Sequence, residues 1–382
     1  MFHRIPPVGN PISWSHPAPP PTLVADNEQC LFVQSGTAAL AQALVIAKSA
    51  FTTDTPEVIV PGYACPDIIS AAVYAGITPV LVDLEPDRPY MSLSAIENAI
   101  TEHTVAIIAI NFMGIPERIA AIRSRLGDSG VIVIEDSAQW YPDADGETPV
   151  SSAYQGDLVV LSFGKGKPVS LLGGGALIIR KDHLMPLVAS KKTTESNLLH
   201  HYKLKTVFHI YNAVISPTVY WALEYLPFIN IGTTNYKPLN GIQVLDETRK
   251  GQLKVNIDHY QAREINAQHK LQHIIQYGGE KVIDLTSISE TYSNQRLLRY
   301  PLLIATSESR NKLLSQFKQA GVGASPLYVS SLPKIEGTTP HIRTHSSLAY
   351  AEDFAKRLIT LPTHTHTDKQ HIASIEKLLN AL

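Results

Sequence analysis

The chain has 382 residues, 44% of them hydrophobic, long enough to bury a sizeable core and, at about 150 residues per domain, to form two or three domains. Lys and Arg number 32 against 34 Asp and Glu, and the net charge of -2 excludes a broad basic surface for nucleic acid. Only 17% of residues are charged, below the roughly 25% usual for soluble domains, which fits a large core or a sizeable oligomer interface.

The first 30 residues are Pro-rich and are expected to wrap over the surface as an N-terminal arm. From residue 31, short β-branched runs alternate with amphipathic stretches. LFV (31–33) precedes a helical TAALAQALVIAKSA, EVIVP (57–61) precedes PDIISAAVYAG, and TPVLVDL (78–84) precedes SLSAIENAI, whose start Ser92 or Ser94 caps. TVAIIAINF (104–112) precedes PERIAAIRSRLG; GVIVIED (130–136), DLVVLSF (157–163) and GGALIIR (174–180) follow. Continuous apolar strands alternating with helices predict a mostly parallel sheet covered on both faces. Residues 186–245 break the rhythm as an aromatic-rich, apolar insertion. A long connecting helix is predicted within 246–289, and 290–382 reads as a smaller C-terminal α/β domain that closes on the helix KQHIASIEKLLNAL. The large domain is thus expected over 31–245.

Two cysteines, Cys30 and Cys65, exclude a disulfide framework and a CxxC zinc module, and no metal site is expected. The N-terminus lacks the apolar core of a signal peptide, so the cytoplasm is the expected compartment. The stretch from Leu204 to Gly232 is apolar but carries His209, Asn212, Pro217 and Glu224. Those interruptions argue against a transmembrane helix, and peripheral contact with a membrane is not the expected reading, although an interfacial or partner-covered helix stays open.

In an open α/β sheet, ligands bind beyond the carboxyl ends of the strands. After the first strand comes Gln34-Ser35-Gly36-Thr37, a small-residue turn opening a helix, where bare N–H groups suit an anion or simply a cap. After VIVIE comes Asp136, an acid at the end of a buried strand that either caps a helix or needs a partner. After LVVLSF comes Gly164-Lys165-Gly166-Lys167, then the glycines 173–175. A Walker A loop is excluded by the order of residues, and each lysine alone could be a solvated loop residue. The set says more than its members. A phosphate turn, an acid and then a lysine before glycines, each at a strand end, is the order of a pyridoxal 5'-phosphate (PLP) site. The lysine amine carries the cofactor as an imine, and the carboxylate keeps the pyridine nitrogen protonated so that the ring is an electron sink.

On these motifs the chain resembles the DegT/DnrJ/StrS family of nucleotide-sugar aminotransferases. The family's SGTxAL matches Ser35 to Leu40, and its PxY…AGxxPVxVD matches Pro61 to Asp83. Its EDxAQ matches Glu135 to Gln139, and its GDxxxxSFxxxK…GGA matches Gly156 to Ala176. The likeness returns at 321–333 and 351–364. The resemblance implies PLP fold type I, the aspartate-aminotransferase-like fold, with a central mostly parallel sheet and a smaller C-terminal domain. It implies Lys167, and not Lys165, as the lysine that carries the cofactor, Asp136 as partner of the pyridine nitrogen, and Gln139 facing the ring hydroxyl. Gly36, Thr37 and Ser162 align with phosphate binders. Cys65 stands where the family has an aromatic ring stacked on the cofactor. The family's H-x-Y-G reads Asn111-Phe112-Met113-Gly114, and Asn235 and Asn240 are the candidates for the asparagine that reaches a partner subunit's phosphate.

The activity so implied is transamination, in a homodimer, from an amino acid (glutamate by resemblance) to a keto group on a nucleotide-linked sugar. A non-sugar ketone or aldehyde is the alternative acceptor. A non-catalytic regulatory protein on the same fold is the other alternative. Dehydratases of the family carry His at the lysine position, and Lys167 argues against that reaction.

Overall fold

Continuous β-branched runs pair as strands, and the structure, a computed structural model, describes residues 3–143, 148–187, 198–224, 234–275, 281–288 and 295–382. The strands are β1 (Gln29–Val33), β2 (Glu57–Pro61), β3 (Thr78–Val82), β4 (Thr104–Ile110), β5 (Ile132–Asp136), β6 (Leu158–Ser162), β7 (Gly175–Ile179), β8 (Val282–Asp284), β9 (Arg299–Ile304), β10 (Arg343–Thr344) and β11 (Leu358–Pro362). Eight of them form one sheet in the order β1-β7-β6-β5-β4-β2-β3-β10. Only β7 runs against its neighbours, paired antiparallel with both β1 and β6.

Alternate residues of each central strand go to opposite layers, as the pleat requires. On one face, Val58, Leu81, Ile108, Ile134 and Val160 pack with helices α1 (Gly36–Ser49) and α2 (Asp67–Ala75). On the other, Ile59, Val80, Ile107 and Val133 pack with α3 (Leu93–Ala99) and α4 (Ile119–Leu126). Of the two candidate caps, Ser92 is the one used: its Oγ accepts from the Ala95 N–H.

The insertion is helical over most of 198–224, while 234–243 holds no helix or strand. It holds α5 (Leu198–Val214) and α6 (Pro217–Glu224), and Phe208, Tyr211 and Ile215 join Val159, Leu161 and Ile178 on the second face. Residues 3–28 contain no helix or strand, and the arm is held by side chains: Asn212 bonds both the N–H and the C=O of Ile12, and Asn256 does the same for Ser13.

In place of the long helix expected within 246–289, the described residues there form three α-helices, a strand and a closing 3-10 turn (Leu285–Ile288). The helices are α7 (Glu247–Lys250), α8 (Leu253–Ala262) and α9 (Asn266–Ile275), followed by β8. α8 ends because Arg263 turns extended, at ψ 128, and spends its guanidinium on the Asn10 side chain and the Leu297 carbonyl. β8 belongs to a second sheet, antiparallel and in the order β11-β9-β8, which packs with α9, α10 (Ser307–Gln319) and α12 (Lys369–Leu379) around Leu302, Phe317 and Ile375. Among the described residues, α11 (Ala349–Arg357) completes the set of helices and covers the large sheet through Ala351 and Phe354.

Candidate active site

The site is made where β1, β5 and β6 end. Ser35 sits extended at the start of α1 and its Oγ accepts from the Ala38 N–H. The first N–H groups of a helix have no intrahelical acceptor, so those of Gly36 and Thr37 open an anion cradle. The cradle is tight. A Cβ on Gly36 would lie 2.6 Å from Ser162 Cβ and 2.7 Å from its Oγ, so only glycine lets the α1 turn meet the end of β6. Gly174, at φ +102, fixes the same junction: its N–H donates to the Gln34 carbonyl at 2.7 Å and its carbonyl accepts from Phe163 at 2.9 Å.

A cavity of about 250 Å³ opens over this junction, and the seven residues singled out from the sequence all line it: Gly36, Thr37, Cys65, Asp136, Gln139, Ser162 and Lys167. They come from four strand ends that are up to 131 residues apart in the chain, between Gly36 and Lys167. Lys165 lines the cavity as well. Asn235 and Asn240 are not among the residues lining it.

Asp136 ends β5, and its Oδ1 accepts from the Ala138 N–H at 3.0 Å. Burial pushes its pKa up; that one hydrogen bond and the nearby Lys167 charge pull the other way, and Asp67 adds to the rise. It is a carboxylate in want of a cation. Gln139 is held at both ends of its amide: Oε1 accepts from the Met113 N–H and Nε2 donates to the Tyr328 hydroxyl, each at 3.0 Å. Burial, before all other causes, pushes the Cys65 thiol up to about 12.

Among the further residues that line the cavity, three bear a ring or a charge that the sequence reading did not assign to the site. Phe112 comes from the turn after β4, where Met113 stands at φ 55 and Gly114 at φ 94. Tyr328 comes from the tail, in the segment 321–333 whose family likeness was visible although its role was not. Asp67 opens α2 and accepts from Thr37 Oγ1 at 3.1 Å. Its signal in the sequence was faint: an acid two residues past Cys65, in the first turn of a helix. Tyr63, an aromatic alternative to Cys65 at this turn, is fully buried among Phe112, Tyr328 and Phe354 and does not line the cavity.

The residues fit PLP. The α1 cradle with Ser162 suits a phosphate, Lys167 offers an amine, and a protonated pyridine nitrogen would supply the counter-charge that Asp136 lacks.

Several known aminotransferases are similar to this chain. A UDP-N-acetyl-3-dehydro-alpha-D-glucosamine 3-aminotransferase of Acidithiobacillus ferrooxidans is 36% identical over 127 residues, which is 33% of this chain and 34% of that protein. The likeness thus spans about a third of that relative's length. A sugar aminotransferase of Streptococcus pneumoniae superposes with a TM-score of 0.66 at 19% identity, covering 92% of this chain and 85% of that one. DesV of S. venezuelae gives 0.65 at 19% identity, with 92% and 84% covered. These likenesses give the fold, PLP fold type I with its large, mostly parallel central sheet. The model of the DegT/DnrJ/EryC1/StrS aminotransferase family matches residues 23–194 and 251–380, and the chain belongs to that family.

Proposed function

We propose that this chain is a PLP-dependent aminotransferase that moves an amino group from an amino acid, glutamate by family resemblance, to a keto group of a nucleotide-linked sugar. Aminotransferases of this family are PLP-dependent, and the Streptococcus pneumoniae protein has been solved in PLP and PMP forms. The observation that carries the reading is the meeting of Asp136, Lys167 and the Gly36–Ser162 cradle in one cavity.

PLP held there supplies an electron sink for the carbanion chemistry of transamination. Lys167 Nζ would hold it between turnovers. The same Nζ, when free, would be the base that takes the donor's α-proton and the acid that returns it. Asp136, with Oδ1 fixed by Ala138, would keep a proton on the ring nitrogen. Gln139, clamped by Met113 and Tyr328, would orient the ring hydroxyl. Gly36, Thr37 and Ser162 would hold the phosphate, and Cys65 would stand in place of an aromatic side chain against the ring.

An apolar, non-sugar acceptor would call for apolar residues of the insertion at the site, and none of its residues 198–224 lines the cavity of this chain. The ketosugar reading therefore stands first. A homodimer, with Asn235 or Asn240 reaching the partner's phosphate, is part of the same proposal. Among the described residues no helix is long and apolar enough to cross a membrane.

A half-reaction screen tests the reading. The pyridoxamine-loaded protein is mixed with a panel of nucleotide-linked 3- and 4-ketosugars and with simple ketones and aldehydes, and products are read by mass spectrometry. An amino-sugar nucleotide is the expected product. Amination of the simple carbonyls alone, or of nothing in the panel, would overturn it.

A further inference from the structure

The insertion presents a surface that the proposed chemistry does not use. Along α5, Leu204, Phe208 and Tyr211 are buried, while Leu198 and Leu199 are 79% and 76% exposed, Tyr202 64% and Ile210 57%. At about 100° per residue, Leu199, Tyr202, Thr206, Ile210 and Ala213 share the outward face. Lys203 and Lys205 are both exposed and stand on opposite sides of the middle of that face, roughly 60° and 100° from it. α5 contains no Asp or Glu at all.

We propose that α5 is a membrane-surface helix that docks this protein on an anionic lipid bilayer. An apolar stripe with a lysine on each flank fits an interface better than it fits water: the stripe enters the acyl boundary while the lysine stems snorkel their ammonium groups up to lipid phosphates. A surface of one charge sign, with no carboxylate on the helix to oppose it, complements a phosphate-rich plane. Tyr202, apolar in body and polar at its tip, suits the same depth. The helix is held firmly for this task. Trp14 stacks edge-on against both His201 and Phe208, Asn212 bonds the arm at Ile12, and His200 Nε2 lies 3.1 Å from Asp246 Oδ1. The Asp246 carboxylate is shared with Arg249, so it does not offset the lysines.

Flotation of the full-length protein with vesicles tests the proposal. One set is phosphatidylcholine alone and the other contains phosphatidylglycerol, each in low and high salt. Co-flotation with the phosphatidylglycerol vesicles, weakened by salt, is expected. Leu199→Glu with Ile210→Glu should lower binding at least about tenfold, with circular dichroism, melting temperature and oligomeric size unchanged. Lys203→Gln and Lys205→Gln, both at exposed positions where folding is not at stake, should each weaken binding roughly fivefold. Wild-type protein that floats with neither vesicle overturns the proposal, as does binding that the two glutamates leave intact. A change of oligomeric size in the glutamate variant also overturns it, because the stripe would then be an interface between copies of this chain.

Discussion

Gln139 Nε2 donates to the Tyr328 hydroxyl at 3.0 Å, and that bond joins the loop after β5 to a tail segment 189 residues further along the chain. Tyr328 is itself pinned. Its N–H donates to the Tyr63 hydroxyl and its carbonyl accepts from the same group, both at 3.1 Å. Burial pushes the pKa of the Tyr328 hydroxyl well above 10, so it stays protonated. Tyr328→Phe leaves a buried amide without its acceptor. A loss of about 1–3 kcal/mol in urea unfolding is expected, together with weaker PLP binding as Gln139 loses its orientation. A variant as stable as the wild type, with unchanged cofactor affinity, would show that the bond is incidental.

Gly36→Ala places a methyl group 2.6 Å from Ser162 Cβ, closer than side-chain carbons pack. Overpacking of about 1–3 kcal/mol and a marked loss of PLP affinity are expected. Ser162→Gly in the same protein removes the obstruction and should restore the melting temperature while leaving phosphate affinity low. If Gly36→Ala alone melts like the wild type, the cradle is looser than described.

Asp136 contributes to the pH dependence of stability, as does the buried Glu117, whose pKa burial also raises. Burial raises the Asp136 pKa, so between the ordinary carboxylate value and the raised one the folded apoprotein binds more protons than the unfolded chain. Apo stability therefore falls as pH rises through that window. Asp136→Asn keeps the acceptor for the Ala138 N–H and removes the charge. Its apo form should melt no lower than the wild type at neutral pH and should show a shallower pH slope, with the share of Glu117 remaining, while kcat falls by about 10²–10³ for want of the carboxylate at the ring nitrogen. Thermal scans against pH, with kcat beside them, read both. A lower apo melting temperature with normal kcat would reverse the assigned role.

Burial pushes the thiols of Cys30 and Cys65 up to about 12. At pH 8 about one molecule in ten thousand then holds a given thiolate. Both cysteines should resist iodoacetamide in the folded protein and react on unfolding, and rapid labelling of Cys65 in native protein would contradict its placement. Cys65→Phe sets a ring in a cavity already lined by Phe112 and Tyr328. The expected cost is about 1–3 kcal/mol of stability, with a shifted cofactor absorption band. No change in either property would place Cys65 outside the cofactor site.

Much of this site was legible because each of its groups lies at the end of a continuous β-branched strand. VIVIE ending in Asp136, LVVLSF ending before Lys167 and LFV ending before Gly36 announce both strand and position, since a parallel sheet aligns its carboxyl ends. The reversed strand β7 was not legible, because the direction of an apolar run leaves no mark on its composition. Nor was the break of 246–276 into three helices: the polar and apolar spacing runs on through Arg263, and what stops α8 is a bond from its side chain to Asn10, a residue some 250 positions away. Phe112 and Tyr328 reach the cavity from turns whose shape is set by tertiary contacts. The packed side of α5 was hidden because it forms against the large sheet and the N-terminal arm, through Trp14 and Ile12, rather than within the insertion itself.

Both Lys165 and Lys167 line the cavity, and the account gives the chemistry to one of them. Protein loaded with PLP, reduced with borohydride, digested and mapped by mass spectrometry decides between them. A phosphopyridoxyl adduct on Lys167, with Lys165 unmodified and with Lys167→Ala giving no adduct, is the predicted result. An adduct on Lys165, or no adduct on either lysine, would contradict the account.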